Sequence, residues 1–145
     1  MRVAIGADHA GYKLKEFLRG RLAAWGHEVL DLGTDSLESV DYPNFGAAVG
    51  RAVADGNAER GVAVCGSGIG ISIAANKVHS VRAALVSEPV SAKLAREHND
   101  ANVICFGERI VGIAIAEAAL EVFLSTPFAG GRHATRVDLL SALEK

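Results

Sequence analysis

Three observations predict that this chain is an α/β protein: a three-layer α/β/α domain on a five-stranded parallel sheet, with a further helix at the carboxyl end. Short continuous apolar runs recur along it, as strands buried on both faces require. Segments with apolar residues at helical spacing separate those runs. Strand and helix therefore alternate, the order that places helices on both sides of a parallel sheet.

Val3–Ala7 is the first apolar run and ends in the turn Asp8-His9-Ala10-Gly11. Leu14, Phe17, Leu18, Leu22 and Trp25 give Tyr12–Trp25 a helical period, which Gly26 stops. Val29–Leu32 reads as the second strand, closed by Gly33. A polar loop from Thr34 to Asp41 then leads through Tyr42-Pro43 into a helix over about Phe45–Ala54. Val62–Cys65 is the third strand, Gly66–Gly70 a glycine-rich turn and Ile71–Asn76 a short helix. Val81–Val86 makes the fourth strand, with Ser87 as N-cap and Pro89 in the first turn of a helix reaching about Glu97. Val103–Phe106 is the fifth. A helix over about Val111–Leu124 is broken by Pro127 and Gly130-Gly131, and Arg132–Leu143 forms the last, with Val137, Leu139, Leu140 and Leu143 on its apolar side. No repeat, low-complexity tract or linker divides the 145 residues, so 1–145 reads as a single Rossmann-like domain.

Fifteen Lys and Arg against seventeen Asp and Glu leave a formal charge of −2. That balance argues against a protein that coats nucleic acid or an anionic membrane through bulk charge. The two cysteines are too few for a disulfide scaffold and lack the paired spacing of structural zinc, so a reducing compartment fits. The opening segment lacks the apolar core of a signal peptide, and no run has the roughly 20 apolar residues of a membrane helix. The expected location is the cytoplasm. Sixteen glycines beside three prolines make the position of the glycines the first question about function.

Ligands of a parallel sheet bind beyond the carboxyl ends of its strands. That rule gathers Asp8 and His9, Cys65–Gly70, Ser87 and Glu88, and Gly107–Arg109 on one face. In Cys65-Gly66-Ser67-Gly68-Ile69-Gly70, alternate glycines stand between a buried strand and a helix start, where free N–H groups and the positive helix end suit an anion. The plainer reading is a tight turn. The spacing matches neither a dinucleotide fingerprint nor a P-loop. Cys65 directly precedes the cradle, where a helix N-terminus stabilises a thiolate able to act as base or nucleophile. Cys105, inside a strand, reads as a packing residue.

Among the histidines, His27 and His79 look like surface residues, while His9 follows Asp8 at a strand end and could bind an anion. His98 ends a helix, where capping is the bland alternative, and His133 stands near the start of the last helix. Arg132 and Arg136 share one helix face and could fork onto a phosphate or stand as a solvated pair. No histidine and acid spacing marks a metal site. A thiol, an oxyanion cradle and imidazole point to proton transfer on a phosphorylated substrate.

Taken together, Gly6-Ala7-Asp8-His9-Ala10-Gly11, Asp41-Tyr42-Pro43, Cys65-Gly66-Ser67-Gly68-Ile69-Gly70-Ile71 with Ala74-Ala75-Asn76-Lys77, Ser87-Glu88-Pro89, His98-Asn99-Asp100-Ala101-Asn102, Phe106-Gly107-Glu108-Arg109 and Gly130-Gly131-Arg132-His133 form a pattern. It resembles the family of type B ribose-5-phosphate isomerases and the related galactose-6-phosphate and allose-6-phosphate isomerases. The matches run in order along nearly the whole chain, and the set is specific where each alone is weak. The resemblance implies an aldose–ketose isomerase that interconverts ribose 5-phosphate and ribulose 5-phosphate, with no metal or organic cofactor. It implies Cys65 as the base that moves a proton between C2 and C1 through an enediolate. The backbone of Gly66, Ser67, Gly68, Ile69 and Gly70, with the Ser67 hydroxyl, would form the anion hole. His98 would assist opening of the furanose ring, Asp8 and Tyr42 would lie near the sugar, and Asn99 would hold a sugar hydroxyl. His9, Arg109, Arg132 and Arg136 would grip the substrate, the arginines chiefly at its phosphate. Ser67 stands where many relatives have Thr and keeps the hydroxyl. Another branch of the family uses a glutamate just after the glycine loop as base; here that position is Ile71, which leaves Cys65 as the base candidate in the cradle.

A helix leaving the carboxyl end of the fourth strand ends near the opposite edge of the sheet, far from its own chain's Cys65. If His98 and Asn99 work with Cys65, a second subunit must supply one of the two sets. The expected assembly is a homodimer with shared sites, or a tetramer built further from it, whose partner is a small sugar phosphate and neither nucleic acid nor membrane. Two alternatives stay open: allose 6-phosphate or galactose 6-phosphate as the sugar, and a non-catalytic module that binds a sugar phosphate or nucleotide to regulate a partner. A dinucleotide-dependent oxidoreductase is disfavoured by the glycine spacing and by the lack of room for a separate substrate domain.

Overall fold

A computed structural model describes residues Met1–Glu144. Its elements run β1 (Arg2–Ala7), α1 (Tyr12–Ala24), β2 (Glu28–Asp31), α2 (Tyr42–Ala54), β3 (Arg60–Cys65), α3 (Ile69–Asn76), β4 (Ala83–Leu85), α4 (Pro89–Asn99), β5 (Val103–Gly107), α5 (Ile113–Ser125) and α6 (Arg132–Ala142). All strand pairs are parallel, in the order β2-β1-β3-β5-β4. This is the three-layer α/β/α arrangement that the alternating pattern predicts.

Right-handed crossovers assign the helices to faces. Leu14, Leu18 and Leu22 of α1, Ala92 and Ala95 of α4, and Leu120 and Phe123 of α5 pack with Val62 and Val64 on one side of the sheet. Val49 of α2 and Ile71 and Ala75 of α3 pack with Ala63, Cys65 and Cys105 on the other. Neighbouring residues of β3 thus enter opposite cores, which is why its sequence reads as an unbroken apolar run. Lys15 is fully buried in α1, with its ammonium 2.9 Å from Asp31 of β2 and 3.1 Å from Glu16. Among the described residues no helix is long and apolar enough to cross a membrane.

Several boundaries differ from the sequence reading, for local reasons. Helix α2 starts at Tyr42, because Pro43 fits the first turn, where an N–H has no helical partner. Helix α3 starts at Ile69 and α5 at Ile113, while Val111 is buried in the preceding turn. Strand β4 shrinks to Ala83–Leu85, since the Arg82 N–H turns to the Asn102 side chain at 2.8 Å. Ser87 is not the N-cap of α4. Glu88 is, its carboxylate accepting the N–H groups of Val90 at 2.6 Å and Ser91 at 2.9 Å. The Ser91 hydroxyl, and then those N–H groups, hold the Glu88 carboxyl below its ordinary range. Helix α6 ends one residue short of the predicted Leu143, and no residue of it is buried: Leu139 and Leu140 stand exposed on its apolar side, as does Leu143 at its C-cap.

Candidate active site

Chain connections leave β1 and β3 in opposite directions, so a crevice opens beyond their carboxyl ends. A cleft of about 550 Å³ lies there, and Asp8, His9, Tyr42, Cys65, Ser67 and Arg109 are among its walls. Ser87 and Glu88 do not join it; Ser87 borders an adjoining apolar hollow, and Glu88 is committed to its helix cap.

Cys65 is the last residue of β3, buried except for 4% of its surface, and its Sγ accepts the Gly68 N–H at 3.1 Å. A backbone N–H aimed at sulfur from the start of a helix stabilises negative charge there. The loop can turn so tightly because Gly68 adopts φ +77°, and a Cβ at that position would strike the Phe106–Gly107 backbone at 2.8 Å. The Ile69 N–H donates to Ser67 Oγ at 3.2 Å, which leaves the hydroxyl proton to be donated elsewhere. Tyr42 lies against the loop so closely that a Cβ on Gly70 would come within 2.5 Å of its ring.

His9 takes the Val40 N–H on Nδ1 at 3.1 Å. That acceptor role leaves the ring proton on Nε2, the donor an anionic group needs. The buried Asp8 carboxylate caps the turn before α1, accepting the Ala10 and Gly11 N–H groups at 3.0 and 3.1 Å. The β5–α5 loop is clipped to the glycine loop by Glu108 N–H to the Cys65 carbonyl at 2.9 Å and Arg109 N–H to the Gly66 carbonyl at 3.0 Å. Cys105 differs from Cys65 in kind: fully buried in β5, its thiol is pushed far above its ordinary range by loss of hydration and then by the neighbouring Cys65.

The remaining candidates lie elsewhere. Helix α4 runs back from the carboxyl end of β4, and the residues after it pair at the amino ends, where the Gly61 N–H meets the Asn102 carbonyl at 2.9 Å. From Gly61 to Cys65 the strand advances about 13 Å. Asn99 lines a separate hollow with Asn76, Arg82 and Leu140. His98 stacks on His133, with centroids 4.3 Å apart and planes 13° from parallel. Lost hydration, then His98, Arg132 and Arg136, hold the His133 ring below its ordinary range, which disfavours charge on both rings together. The structure therefore brings together Asp8, His9, Tyr42, Cys65, the glycine loop and Arg109, and separately gathers His98, Arg132 and Arg136 near one another, with Asn99 beside His98. Sequence reasoning gave no role to His133 or Glu108. Both stood in the motifs that carry the family resemblance, beside Arg132 and Arg109, without a role of their own.

Fold and cleft define an α/β protein that presents a thiol beside a glycine-rich loop and a helix start at a topological switch point. The profile of the Ribose/Galactose Isomerase family matches residues 3–140. The chain belongs to that family. It is 45% identical to ribose-5-phosphate isomerase B of Escherichia coli, over 99% of this chain and 97% of that protein. It is 43% identical to a galactose-6-phosphate isomerase subunit of Clostridium acetobutylicum, over 88% of this chain and 74% of that one. Among solved structures, ribose-5-phosphate isomerase B of Clostridium thermocellum superposes with a TM-score of 0.98 at 49% identity, covering 99% of this chain and 97% of the other.

Proposed function

We propose that the chain, as one domain over its length, interconverts ribose 5-phosphate and ribulose 5-phosphate at a site shared between two copies. The observation that carries this reading is Cys65 Sγ in the cleft under the Gly68 N–H at 3.1 Å. The thiolate takes the C2 proton of the open-chain aldose. The C2–H electron pair becomes the C1=C2 bond, and the carbonyl pair moves onto the C1 oxygen to give an enediolate. N–H groups of Gly66–Gly70, the positive end of α3 and the Ser67 hydroxyl stabilise that charge. The C2 hydroxyl proton passes to the C1 oxygen, Cys65 returns its proton to C1, and the carbonyl re-forms at C2.

Before this, His98 of a second copy opens the furanose ring and Asn99 beside it holds a sugar hydroxyl. Arg132 and Arg136 of that copy meet the phosphate opposite His9 and Arg109 of the first, with Asp8 and Tyr42 at the sugar. The separation of the two residue sets within one chain supports a homodimer, or a tetramer built from two such dimers. The uncovered apolar residues of α6 are consistent with such an assembly. A thiol base has to stay reduced, which fits the cytoplasm.

Replacing Cys65 with Ala is expected to lower turnover by about a thousandfold and to stop exchange of the C2 proton with solvent, while sugar-phosphate binding persists. Near-normal turnover would overturn the assignment. The galactose-6-phosphate isomerase subunit at 43% identity favours one second reading, a six-carbon sugar phosphate. Turnover measured side by side on ribose 5-phosphate, allose 6-phosphate and galactose 6-phosphate decides between them.

A further inference from the structure

Three loops meet at the cleft: the one after β1 with Asp8 and His9, the glycine loop after β3, and the one after β5 with Arg109. Strands β1 and β5 are not neighbours, because β3 lies between them. Backbone bonds fasten the third loop to the second, through Glu108 and Arg109 N–H groups on the Cys65 and Gly66 carbonyls. One side chain reaches from the third loop to the start of α1: Glu108 Oε1 accepts the Leu14 N–H at 2.7 Å, across 94 residues of sequence. Leu14 lies in the first turn of α1, where N–H groups lack helical partners and a carboxylate is favoured. Asp8 takes two more N–H groups just before it. The two carboxylates occupy the Ala10, Gly11 and Leu14 N–H groups and place negative charge at that turn, so a phosphate arriving there relies chiefly on the side chains of His9 and Arg109. A Cβ on Gly66 would sit 3.5 Å from the Arg109 guanidinium, which places that group over the glycine loop.

We propose that Glu108 is a positioning residue that ties the Arg109 loop to the start of α1 and so fixes the spacing between Arg109 and His9. This rests on reading the cleft as a sugar-phosphate site. Glu108 touches neither the reacting carbons nor the phosphate; it sets where the cation waits.

The test compares Glu108→Gln, which keeps an acceptor oxygen at the same reach, with Glu108→Ala, which removes it. Ala is expected to raise KM for ribose 5-phosphate about tenfold, the effect of losing one charge-assisted hydrogen bond, with kcat changed much less. Gln is expected to stay within about threefold of the parent protein, since the acceptor is retained. Binding of inorganic phosphate, followed by titration calorimetry, weakens in step with KM in the Ala variant. If Ala fails to fold, Glu108→Asp gives the same contrast, because its carboxylate keeps the charge but stops one methylene short. Unchanged KM and phosphate affinity in Ala, or in Asp where Ala does not fold, would overturn the proposal. So would a Gln variant as impaired as Ala. The phosphate titration needs no turnover, so a failed isomerase reading leaves it interpretable.

Discussion

The carboxyl and amino ends of the sheet are built in different ways. At the carboxyl end, Cys65 and the glycine loop sit on backbone that the strands fix directly: Cys65 closes β3, Gly68 donates to its sulfur, and the β5 loop is bonded to the Cys65 and Gly66 carbonyls where the turn begins. At the other end, His98, Asn99, Arg132 and Arg136 ride on the ends of α4 and α6, and α6 buries no residue against its own chain. A cradle for developing charge gains most from rigidity, because its dipoles must be aimed before the charge appears. Groups carried on helix ends can instead be delivered to another molecule's cleft. On the proposed reading, the difference assigns the chemistry to one half and the need for a second copy to the other.

The largest effect that separates the halves is the thousandfold loss expected for Cys65→Ala. His98→Asn sharpens the contrast. Ribulose 5-phosphate cannot close a five-membered ring, because its C5 oxygen carries the phosphate. Exchange of its C1 protons with solvent, followed by NMR, is therefore expected to survive His98→Asn and to vanish in Cys65→Ala. Turnover starting from ribose 5-phosphate falls in the His98 variant by about a hundredfold. Loss of exchange in both variants would mean that His98 acts on the carbon acid and not on the ring.

Cys105→Ser asks whether the two thiols differ as their surroundings say. A hydroxyl in that fully buried strand position is expected to cost about 1–2 kcal/mol of stability in denaturant titration, with turnover per folded molecule unchanged. A loss of activity matching that of Cys65 would erase the distinction. The smallest effect is at the start of α4. Since the Glu88 carboxyl is held below its ordinary range, its cap stabilises the fold above that range and is lost as pH falls through the lowered value. Glu88→Ala is therefore expected to lower Tm slightly near neutral pH and to match the parent protein in strong acid; a gap that persists there would mean that the cap acts without its charge.

What was legible in the sequence follows the range of the forces involved. The buried runs of β1, β3 and β5 and the glycine loop after Cys65 are local patterns, and the structure has them where the pattern puts them. The insertion of β5 between β3 and β4 is a pairing choice made across the chain, and no local signal carries it. Capping by Glu88 instead of Ser87 turns on one residue of reach, which a preference for short polar caps misjudges. The period of α6 revealed an apolar side but not what covers it. The stacking of His133 on His98 and the bond from Leu14 to Glu108 join residues distant in sequence, and no spacing rule anticipates either.

On the proposed reading, one working site needs Cys65 from one copy and His98 from another. Mixing Cys65→Ala and His98→Asn subunits, after denaturing and refolding them together, tests it directly. In each mixed dimer one site collects both lesions and the other collects none. Two nearly inactive proteins are then expected to regain about a quarter of parent activity at equal ratio, since half the dimers are mixed and half their sites intact. If activity stays at the level of the separate variants although mixed dimers form, each site is made from a single chain and the account is wrong.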